Sequence, residues 1–68
     1  MNFARDLEKK LTAQEWALCC RYVEKAQQYY DMDHWSQARE SLMDAIAICT
    51  VEGERNAAAK IQYYLRFC

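Results

Sequence analysis

Between Ala26 and Ala38 the chain reads AQQYYDMDHWSQA, which gathers two tyrosines, two aspartates, a tryptophan and the sole histidine. Asp31, Asp33 and His34 are residue types that could move a proton or hold a metal. General acid–base catalysis needs such a group set against a substrate in a sheltered cleft. A metal site needs three or four converging ligands, with the histidine oriented by a further partner. Here the ligands would lie in a polar turn with no second histidine or nucleophile in support. The same residues are explained without chemistry as a corner: Tyr29 and Tyr30 end one helix, Asp31 to Asp33 turn the chain, Asp33 caps the next helix, and Trp35 returns to the core.

The four cysteines, at 19, 20, 49 and 68, form no C-x-x-C pair of the kind zinc sites use. A Cys49–His34 pair on one continuous helix would be about 22 Å apart at 1.5 Å per residue. Small buried hydrophobe is the expected role of these cysteines. Cys68, the last residue, is expected to be exposed and prone to oxidise. Gly53 alone cannot build a phosphate-cradling loop, and Ser36 and Ser41 fall on a helix without triad partners. The sequence therefore predicts no catalytic residue, no cofactor and no metal.

The elements around these residues are helices. Proline is absent and glycine occurs once, which favours long helices over a many-turned β fold. Thr12 and Glu15 form a capping box, and Leu11 and Trp16 occupy the positions of a hydrophobic staple. From there Ala13, Trp16, Ala17, Cys20, Val23 and Tyr30 share one face, with Leu18, Tyr22, Ala26 and Tyr29 on an adjacent stripe. A second helix is predicted from Asp33 or His34 to Cys49, with Trp35, Ala38, Leu42, Ala45, Ile46 and Cys49 inward and Arg39, Glu40 and Asp44 outward. Thr50 to Gly53 breaks the pattern. A third helix, Glu54 to Phe67, would place Ala58, Ile61, Leu65 and Cys68 on one face and Tyr63 and Phe67 to the side. Residues 1–10 read as a frayed turn or a short extra helix, docked through Phe3 and Leu7. The predicted fold is all-α: one domain spanning 1–68, a three-helix bundle built on an antiparallel helical hairpin.

Tyr22, Ala26 and Tyr29, followed by Ala38, Leu42 and Ala45, resemble one helical hairpin of the tetratricopeptide type. There, small residues let two antiparallel helices approach while bulky ones fill the gaps. Lys25 stands where that family prefers leucine and Thr50 where it prefers proline, and no second repeat follows, although about three normally make a stable stack. The resemblance implies hairpin geometry, not a peptide groove. In size, acidity and compactness the chain also resembles the small accessory proteins that lambdoid phages and prophages encode among their early genes, which would imply a regulator of host or phage proteins.

Nine basic and ten acidic side chains give a net charge of −1, which disfavours nucleic acid, since phosphate neutralisation supplies most of that affinity. A small helical DNA-binding regulator is the alternative reading, using Arg5, Lys9, Lys10 and Arg21 if a dimer gathers them. No apolar run reaches the roughly 18 residues of a membrane span, and no signal-peptide pattern is present, so a cytoplasmic protein is expected. The remaining signal is aromatic surplus: two tryptophans, five tyrosines and two phenylalanines in 68 residues. A short chain buries a modest share of its surface, and a partner subunit is one remedy. Tyrosine also suits interfaces that are dry on one side and wet on the other. The expectation is a homodimer with Tyr22, Tyr29, Tyr63, Tyr64 and Phe67 as candidate contacts, Trp16 and Trp35 in the core, and charged faces left for another protein.

Overall fold

The capping box at Thr12 forms as its sequence dictates. The Thr12 hydroxyl accepts from the Glu15 amide at 3.1 Å, and the Glu15 carboxylate accepts from the Thr12 amide at 2.9 Å. A computed structural model describes residues 1–68 as four α-helices: α1 Phe3–Lys10, α2 Ala13–Asp31, α3 Trp35–Val51 and α4 Arg55–Tyr64, ending in a 3₁₀ turn at Leu65–Phe67. The fold is all-α, and no helix is long and apolar enough to cross a membrane. α2 and α3 pack most extensively on one another. α4 lies on α3, and α1 lies on α2 while also touching α4.

The hairpin closes tightly because small residues meet at its seam: Ala26, Ala38 and Ala45 are fully buried beside Leu42. The Ser41 hydroxyl, also buried, donates to the Tyr22 carbonyl across the seam at 2.7 Å. No buried side-chain nitrogen or oxygen lacks a hydrogen-bond partner, as a settled helical core requires.

Residues 1–10 are the short extra helix, not a frayed turn. The Asn2 side chain caps α1 by accepting from the Arg5 amide at 3.0 Å. Phe3 and Leu7, both among the largest fully buried side chains, anchor it in the core. Gln27 of α2 fastens its start, accepting from the Ala4 amide at 3.2 Å and donating to the Met1 carbonyl at 3.0 Å. At the other end the Lys60 ammonium donates to the Lys10 carbonyl at 3.0 Å, a cation placed on the negative end of a helix.

Several predicted faces are rotated by about one residue. On α2 the buried positions are Glu15, Cys19, Val23 and Ala26, and Ala13 and Ala17 face solvent. On α4 they are Ala57, Ile61 and Tyr64, with Ala58 and Leu65 only partly covered. Trp35 is 46% exposed rather than inward. It sits at the first turn of α3, beyond the reach of the core, and packs edge-on against Tyr30 with centroids 5.0 Å apart. Asp33 does not cap α3: the cap residue is His34, which makes no side-chain capping bond.

The two interhelical corners share one construction. After α2, the His34 amide donates to the Tyr29 carbonyl and the Asp33 amide to the Tyr30 carbonyl, with Asp33 at φ 61°. After α3, the Glu54 amide donates to the Cys49 carbonyl and the Gly53 amide to the Thr50 carbonyl, with Gly53 at φ 77°. Both are Schellman motifs, whose left-handed residue is usually glycine. At the first corner an aspartate takes that position.

Candidate interaction surface

Six aromatic rings run through the molecule in contact with one another. Trp35 meets Tyr30, Tyr30 meets Phe3 at 5.4 Å, Phe3 meets Tyr64 at 6.0 Å, and Tyr64 meets Tyr63 and Phe67 at 5.1 and 6.2 Å. These edge-on and tilted separations are favourable for aromatic pairs. The middle of the series is core and its two ends emerge: Trp35 is 46% exposed at one, and Tyr63 51% and Phe67 39% at the other. Phe3 and Tyr64 of this series are buried, and through Phe3 it ties α1 to α2 and α4.

The five candidate contacts do not form one patch. Tyr64 is 3% exposed, so it offers a partner almost no surface. Its hydroxyl accepts from the Lys10 ammonium at 3.0 Å and points to Asp6 at 3.5 Å. That bond, more than the neighbouring charges, holds the Lys10 ammonium above its ordinary value. Tyr22 and Tyr29 are half-buried and line a polar groove of about 140 Å³ between α2 and α3, with Lys25, Glu40 and Asp44 around them. Tyr63 and Phe67 lie together on the far side, rings 5.6 Å apart, with the Arg66 guanidinium 5.2 Å above Tyr63.

Aromatic counting missed the most apolar opening on the molecule. Between α3 and α4 a groove of about 240 Å³ is lined by Met43, Ile46, Ala47, Gln62 and Leu65. Met43 is 51% exposed. The signal was present in the sequence: Met43 and Ala47 are uncharged, one turn apart and off the inward face. Ile46, expected inward, is half-buried and forms the floor.

The Asp31–His34 turn shows how a corner disposes of reactive-looking residues. The Asp31 carboxylate accepts from Gln27 at 2.8 Å. His34 stacks on Tyr29 with centroids 6.3 Å apart, the side-chain contact that accompanies a Schellman corner. No three His, Cys, Asp or Glu side chains converge as metal ligands in the structure. Cys19 and Cys49 are fully buried and unpaired. Burial first, then the neighbouring Cys49, pushes the Cys19 thiol up to about 12. Cys68 is half-buried rather than exposed; burial raises its thiol, opposed by Arg39.

No protein-family model, no curated protein and no solved structure matches the chain.

Proposed function

We propose that this is a non-catalytic protein–protein interaction module that works as a homodimer in the cytoplasm, a regulatory accessory to a larger assembly. Its resemblance to small phage and prophage accessory proteins fits that role. One observation carries the reading. A chain whose core is closed and whose buried side-chain polar atoms are all satisfied still leaves an apolar groove, with Met43 half-exposed, open between α3 and α4. Surfaces of that kind mark interaction sites more often than chemistry. The DNA-regulator alternative would use Arg5, Lys9, Lys10 and Arg21, of which Lys10 also donates to the Tyr64 hydroxyl.

Absolute mass by light scattering, over a dilution series with and without reductant, tests the proposal. The expected result is a dimer indifferent to reductant. A monomer at every concentration would refute the homodimer. A mobility shift on DNA that weakens steeply with salt would favour the alternative.

A further inference from the structure

We infer that the α3–α4 groove is the contact face between two copies of this chain, and that its two charged margins set the copies in register. The inference rests on the homodimer reading and adds which surface is used and how it is oriented.

The face is asymmetric in charge across its width. On the side away from α4, Glu40 and Asp44 border the polar α2–α3 groove. One turn apart, they form an acidic row. On the opposite side, Arg55 lies seven residues before Gln62, on the same stripe of α4, and Arg66 follows in the 3₁₀ turn that ends it, its guanidinium over the Tyr63 ring. Both arginines are exposed. The apolar floor lies between the rows. Arg39, the cation nearest the floor on α3, is already engaged, donating to the Leu65 carbonyl at 3.1 Å.

An isologous dimer places the same patch on itself through a two-fold axis. An axis along the groove, parallel to α3 and α4, keeps the height of every residue and exchanges left for right. The acidic row of one copy then faces the basic row of the other. The Arg39 guanidinium reaches the Leu65 carbonyl, so the first turns of α3 lie beside the end of α4, and this axis brings Glu40 of one copy toward Arg66 of the second, twice by symmetry. α3 and α4 of both copies make a four-helix arrangement with Met43 at its centre. Turning the axis across the helices would instead set like charges together, which is unfavourable. A second copy therefore fits this face in one orientation.

Light scattering and sedimentation on four variants of the full chain test this. Met43→Glu is expected to raise the dimer dissociation constant about tenfold or more, as a central apolar contact should. Glu40→Arg is expected to weaken the dimer, and Glu40→Arg combined with Arg66→Glu to restore it. Met32→Glu, on an equally exposed methionine at the α2–α3 corner, should change nothing. The altered residues are exposed, and helical circular dichroism confirms that each variant folds. A dimer indifferent to Met43→Glu and to the charge reversals would overturn this face and leave the homodimer standing. A wild-type monomer at every concentration would overturn both.

Discussion

Among single residues, the cysteines show how burial decides chemistry. A thiol reacts as its thiolate, and a Cys19 thiol raised to about 12 with no exposed surface supplies almost none near neutrality. The linkage follows from the direction of the shift. The folded state holds the Cys19 proton more tightly than the unfolded chain, so this stability is complete below the unfolded value near 9 and is lost as pH rises from 9 toward about 12. Thermal melts from neutral pH upward should show a decline beginning near that lower bound, and Cys19→Ala should flatten it. An unchanged alkaline slope in that variant would show that the decline comes from other groups. A thiol-labelling time course at neutral pH should leave Cys19 and Cys49 unmodified in the folded protein and reach Cys20 and Cys68 first, since those two are only partly covered.

Helices and corners divide into those the sequence announces and those it hides. The start of α2 was legible because every local preference around Thr12 and Glu15 points one way. Thr12→Ala should therefore cost about 0.5–2 kcal/mol in a urea melt, the usual range for a lost cap. The hairpin seam was legible as well, since alanines at helical spacing leave few other packings. The first corner was not. Aspartate commonly caps helices, so Asp33 reads as a cap, but cap and left-handed turn residue differ by one position and draw on overlapping residue types. Gly53 does the same work at the second corner with no steric objection. Two substitutions separate these roles. Gly53→Ala should destabilise by about 1 kcal/mol despite open space around the new methyl, because the strain is in the backbone. Asp33→Gly should be neutral to slightly stabilising, whereas a lost cap would destabilise. The rotated faces of α2 and α4 have a different origin. Neighbouring apolar residues allow two adjacent stripes, and which one is covered depends on how α3 packs on α2 and α4 and on where α1 docks through Phe3 and Leu7. The candidate surface was hidden for a related reason: which residues stay outside depends on where every other helix lands.

For the whole molecule, α1 determines whether the chain is marginal or secure. Phe3 joins Tyr30 of α2 to Tyr64 of α4 and is fully buried, so its removal breaks contacts with two other helices at once. Phe3→Ala should cost about 3–5 kcal/mol, against a total of about 5–15 kcal/mol for an ordinary domain. In a domain this small that loss should bring the unfolding midpoint close to ambient temperature. The variant then becomes a probe of assembly. If folded chains pair, pairing stabilises them by mass action and the midpoint climbs with protein concentration. If the chain folds alone, the midpoint does not move. Melts of Phe3→Ala across a hundredfold range of concentration, repeated with Met43→Glu in the same chain, should show a rise that the second substitution abolishes. A rise that survives it would place the contact elsewhere on the protein, with the exposed pair Tyr63 and Phe67 next to be altered. A destabilised core thus amplifies a weak interface into a measurable shift, because the free energy of association is then a large fraction of what holds the fold together.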